Sequence, residues 1–134
     1  MATITLDDYN DVTGKKLVTF KFDGETYRQN KYALMLLDVI KLLDKRKPGV
    51  LEKLAAKDFS CNVITVKHPH ISTSDGGMRW AWNVKDGIFI EMNLSAAGIM
   101  KFIDCLMDEY GEEKSLFSIC VVTEETTDDA DSDE

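Results

Sequence analysis

The sequence predicts an α+β fold, a mainly antiparallel sheet with two or three helices packed on one face. Three observations carry this. Residues 80–84 and 88–92 are short runs rich in Trp, Val, Ile and Phe, joined through Lys85-Asp86-Gly87. Asp-Gly between two such runs marks a hairpin, because glycine takes positive φ without steric cost. After Met92 the apolar period changes from two to about 3.6. Along the whole chain the patterns run β-β-α-α-β-β-β-α-β, which segregates hairpins from helices as α+β folds do. A winged-helix-like arrangement, with the 79–92 hairpin as the wing, is one form of this class.

Taken in order, residues 1–16 hold few apolar groups and read as an irregular N-terminal segment. Leu17 to Phe22 alternates, which predicts a strand whose buried face is Val18, Phe20 and Phe22. Asp23-Gly24 turns it back toward a short second strand over Glu25 to Arg28. Asn30 is placed to cap a helix from Lys31 to about Arg46, whose apolar residues spread over more than one stripe and predict packing on two sides. Pro48 separates it from a shorter helix over Val50 to Lys57. Asn62 to Val66 is β-branched and predicts a strand, and Lys67 to Gly77 reads as a polar, mobile loop. The hairpin follows, then a helix with Ala96, Ile99, Met100, Ile103, Leu106, Met107 and Tyr110 on one stripe. Asn93 or Ser95 caps its start, and Gly111 suits the left-handed residue beyond its end. Leu116 to Val122, apolar on both faces, predicts a strand internal to a sheet.

The 134 residues are enough for one domain with a real core. Their net charge of −8 is unevenly placed. Seven carboxylates and no base lie between Thr123 and Glu134, and without them 17 acids face 16 bases. The expected organisation is a polar segment 1–16, one domain over 17–122, and a disordered acidic tail over 123–134. No apolar run approaches the roughly 20 residues of a membrane-spanning helix, and the polar, early-acidic N-terminus is no signal peptide. Cys61, Cys105 and Cys120 are odd in number and follow no metal or disulfide spacing. Two of them lie in apolar runs, where a free Cys behaves as a small buried hydrophobe, and the set reads as that of a reduced, cytoplasmic protein.

Catalytic signatures are absent from this reading. His68-Pro-His70 with Cys61 supplies too few converging ligands for zinc. Cys105 sits in an apolar setting that raises a thiol pKa instead of activating it. Asp75-Gly76-Gly77 lacks the lysine-bearing phosphate loop, and Glu112-Glu113, past a helix end, look solvated. No catalytic residue, metal, cofactor or small-molecule substrate is expected, and no membrane. Two surfaces stand out instead. Trp80 and Trp82 share one strand face. They either pack under the long helix as core or face outward as an aromatic patch beside Arg79. Lys41, Lys45, Arg46, Lys47, Lys53 and Lys57, with Lys67 later, gather on the two-helix corner. They either follow a phosphate backbone or simply complement helix C-termini in solvent.

The run Gly87-Ile88-Phe89-Ile90-Glu91-Met92-Asn93-Leu94-Ser95-Ala96 resembles the "giYvetNlSA" segment of a small domain found at the C-terminus of prokaryotic restriction-type and defence-type ATPases and nucleases. Arg79 before the turn, the helix ending at Gly111, the terminal strand and the upstream "PGVLEKLAAKDF" stretch fit the same pattern over residues 17–122. Phe89 replaces that family's Tyr, and Ala97-Gly98 stand where Asn-Asp is common. The resemblance implies an accessory, non-catalytic module contacting DNA or another subunit. The expected function is therefore recognition of nucleic acid or a protein partner in such a system. The alternative is a free-standing, acidic, phage-type inhibitor of a nucleic-acid-binding enzyme, for which charge complementarity would speed docking.

Overall fold

The structure, a computed structural model, describes residues 1–61 and 69–123. The expected strand over 62–66, Lys67, His68 and the acidic residues 124–134 lie outside the described residues. The elements are β1 (Ala2–Thr5), a 3-10 stretch (Leu6–Val12), β2 (Lys15–Phe22), β3 (Glu25–Arg28), α1 (Tyr32–Arg46), α2 (Val50–Ala56), β4 (Ile71–Ser72), β5 (Ala81–Lys85), β6 (Ile88–Glu91), α3 (Ala96–Tyr110), a 3-10 turn (Lys114–Leu116) and β7 (Phe117–Thr123). The α+β class is as expected, but the strands form two antiparallel sheets, ordered β1-β7-β2-β3 and β4-β6-β5. The β5–β6 hairpin is therefore not a free wing, because β4 pairs with its inner strand.

Several local expectations change for identifiable reasons. The segment 1–16 is part of the first sheet: β1 pairs with β7, and Ile4, Leu6 and Val12 are buried. A bulge at Val18 shifts the β2–β7 register between Leu17 and Thr19. It turns Leu17, not Val18, inward beside Phe20 and Phe22. Asn30 does not cap α1; Lys31 holds the cap position without a side-chain bond, and Gln29 Oε1 accepts from the N–H groups of Asn30 and Lys31. Within the supposed polar loop, His70, Ile71 and Ser72 are buried, because β4 lies against β6 and Phe59.

The ends of α3 and the place of the last strand are as expected. Ser95 Oγ accepts from Gly98 N–H at 3.0 Å, and Gly111 closes α3 at φ 66°. β7 lies between β1 and β2 inside its sheet. Phe20, Phe117, Met35 and Ile40 join Ile71, Ile90 and Met92 in one continuous apolar core under both sheets, with α1 and α3 packed together. Among the described residues, no helix is long and apolar enough to cross a membrane.

Candidate interaction surface

Trp80 and Trp82 are the large aromatics left open, at 45% and 38% exposure. They do not pack away under the long helix, and the reason is strand order: β5 is the outer strand of its sheet. In antiparallel pairs, residues directly opposite share a face. Ile71, Ile90 and Trp82 are aligned across β4, β6 and β5. The row starts fully buried at Ile71 and Ile90 and ends in the half-open indole of Trp82. Arg79, just before the strand, is exposed and makes no ion pair among the described residues.

The backbone around these indoles is fixed by Glu91, which is fully buried. Its Oε1 accepts from Arg79 N–H at 2.8 Å, and its Oε2 accepts from Trp80 N–H at 3.0 Å and Asn93 N–H at 2.9 Å. A buried acid is tolerated only where such bonds replace its hydration. Trp80 O in turn accepts from Met92 N–H at 2.8 Å. At the far end of β5, Lys85 Nζ reaches Glu52 at 2.6 Å and Asp44 at 3.1 Å, tying the hairpin to α1 and α2. Each partner favours the charged ammonium, so the Lys85 pKa rises, chiefly through the Glu52 bond.

The basic corner is in a different condition. Arg46 grips Glu112 with two parallel bonds at 3.1 Å, reaches Asp23 at 2.7 Å and lies over the Phe22 ring. The Arg46 bonds hold the Glu112 carboxyl below its ordinary range, and Glu112 and Asp23 push the guanidinium pKa up. Glu112, expected to be solvated, has a side chain only 7% exposed, because this guanidinium covers it. Lys47 donates to Tyr110 O and stands 3.7 Å from Glu112, and Lys57 pairs with Glu109 at 3.6 Å. Among the described residues, Lys41, Lys45 and Lys53 make no ion pair. Lys41 and Lys45 line a shallow hollow of about 360 Å³ with Tyr27 and Leu42. The six corner cations therefore do not form one free basic face. Lys67 lies outside the described residues.

Chemistry elsewhere is sparse. His70 is buried against Phe102, and its Nδ1 accepts from Cys61 N–H at 3.0 Å. Among the described residues no group of three His, Cys, Asp or Glu is disposed to hold a metal. Cys61 and Cys105 are not free: they are joined in a disulfide, with Cα atoms 6.1 Å apart, and Cys120 alone is a thiol. Their separation of 44 residues hid this, since α3 returns to the chain just after α2 only in three dimensions.

The role of Glu91 is the feature that pattern reading missed. Its signal was a lone acid at the end of an apolar run bound for the middle strand of a sheet. The chain matches no protein-family model, no curated protein and no solved structure.

Proposed function

We propose that this protein is a non-catalytic recognition module that binds a protein partner through the Arg79–Trp82 edge of its second sheet. The observation that carries this reading is a pair of open tryptophans, Trp82 on the outer strand β5 and Trp80 just before it. Exposed aromatics beside an arginine that makes no ion pair among the described residues have the composition of an interface centre. A protein is favoured over nucleic acid because Arg46, Lys47 and Lys57 already hold carboxylates of this chain. Phosphate binding requires free cations that release condensed counterions. The resemblance of Gly87–Ala96 to an accessory domain of restriction and defence systems agrees with a recognition role, and we place the module in that setting and in the cytoplasm.

Magnitudes constrain the contact. Covering the open parts of both indoles removes roughly 200 Å² from water, taking about 250 Å² for a whole side chain. At ~25 cal/mol per Å² this contributes about 5 kcal/mol. Association costs at least ~4 kcal/mol. The aromatic patch alone therefore holds a partner weakly, and directed contacts must add to it.

The test is affinity capture from host lysate with nuclease treatment, comparing the wild type with a Trp80→Ala/Trp82→Ala variant of matched thermal midpoint. A nuclease-resistant protein retained by the wild type and lost from the variant is the expected result. Retention of nucleic acid, or retention indifferent to the tryptophans, overturns the reading. The cytoplasmic setting has its own check, because a glutathione-buffered cytosol keeps most cysteine pairs reduced. Rapid alkylation on lysis should then label Cys61 and Cys105. Closing this 44-residue separation afterwards should raise stability by about 4 kcal/mol on chain entropy, read as a higher urea midpoint.

A further inference from the structure

Resting on that reading, we infer that the partner docks as an extended segment that adds a fourth strand to the outer edge of β5. Two separate hydrogen bonds define which backbone groups are available there. Met92 N–H donates to Trp80 O across β5–β6, and Glu91 N–H donates to His70 O across β4–β6. In an antiparallel ladder the bonding direction alternates from residue to residue. Residues 90 and 92 of the middle strand therefore bond toward β5, and residues 89 and 91 bond toward β4. On β5 the pairs are Trp82 with Ile90, Ala81 with Glu91, and Asn83 with Phe89. The N–H and C=O groups of Ala81 and Asn83 consequently point away from β6, and among the described residues no strand receives them.

An open row of alternating donors and acceptors, repeating every ~6.8 Å, is matched by an extended polypeptide backbone. Edges are usually guarded by a charge or a proline. Here Lys85 is drawn back to Glu52 and Asp44, and β5 contains no proline. The clamp of Glu91 on Arg79 and Trp80 fixes the backbone where the strand begins, so little ordering remains to be done on binding.

The flanking side chains state the chemistry of the segment. The row Ile71, Ile90, Trp82 stops one strand short of being covered. A residue laid beside Trp82 extends that row and must be apolar, as must the one beside Trp80 two positions along. Residues between them point to the other face and are free to be polar. Arg79, exposed and unpaired among the described residues, selects an acidic residue at the adjoining end of the segment.

The experiment uses the full chain and a library of randomised ten-residue peptides. Binders should alternate apolar with polar residues and carry an acid near one end. At saturation they should slow exchange of the Ala81 and Asn83 amide hydrogens at least tenfold. Ala81→Pro removes a donor that the sheet itself does not use, so the variant should fold normally and lose at least tenfold in peptide affinity. Arg79→Glu should exchange the preference for an acid for a preference for a base. Peptides that need Trp80 and Trp82 yet leave both amides unprotected and tolerate Ala81→Pro overturn strand addition and spare the recognition reading. Binders indifferent to both tryptophans overturn the recognition reading as well. A dimer in sedimentation with the same amides protected overturns the external segment in favour of a second copy.

Discussion

The α1–α2 corner and the β5 edge carry comparably conspicuous side chains, yet the fold treats them in opposite ways. At the corner, Arg46, Lys47 and Lys57 face carboxylates of the same chain, so half of its six cations are committed to holding it against the end of α3 and the turn after β2. At the edge, two indoles and one guanidinium are left without partners among the described residues, although the backbone beneath them is tightly fixed. Clustered charge within a sequence is thus a weak sign of an interface. A rigid surface with unspent groups is a stronger one.

That contrast can be broken most severely through Glu91. Glu91→Ala strands three backbone donors and opens a cavity, so it should cost about 3 kcal/mol or more in urea unfolding and abolish binding at the edge. Next comes Arg46→Ala, which leaves the nearly buried Glu112 without its bidentate partner. It should cost about 2 kcal/mol, reduced from a fully buried pair because the guanidinium is partly open, and leave edge binding unchanged.

The same pair predicts an acid limb. Glu112 has a lowered pKa in the fold, so its stabilising contribution is complete above the unfolded carboxyl value near 4.5 and disappears as pH falls through the lowered one. The stability difference between wild type and Arg46→Ala should shrink as urea titrations move from pH 6 to pH 3. The smallest effect belongs to Lys53→Ala, expected within about 0.5 kcal/mol and without influence on binding. A large loss of binding there would mean that the corner works after all.

What the sequence revealed depended on how many residues carried each signal. α3 spans fifteen residues with a single apolar stripe, a serine cap and a closing glycine, so its limits were legible. The β5–β6 turn was legible because Asp-Gly has few other uses there. β1 was not, since Ile4 is the only one of its four side chains to face the core. β4, two residues long, presents no period at all. Bulging at Val18 inverted an alternation that was otherwise read in the right direction. The exposure of Trp80 and Trp82 was not legible, because it depends on β5 being outermost, and strand order arises from contacts between segments far apart in sequence.

β7 lies in the centre of its sheet, bonded on one side to β1 and on the other to β2, although both are made about a hundred residues before it. During synthesis these early strands must wait for their shared neighbour, with apolar faces exposed to the cell. Such distant pairings slow folding and widen the interval in which a nascent chain can go astray. The order in which the ribosome delivers the strands therefore makes the first sheet the last part of the protein to be secured, and chaperone demand should track the delay before β7 emerges.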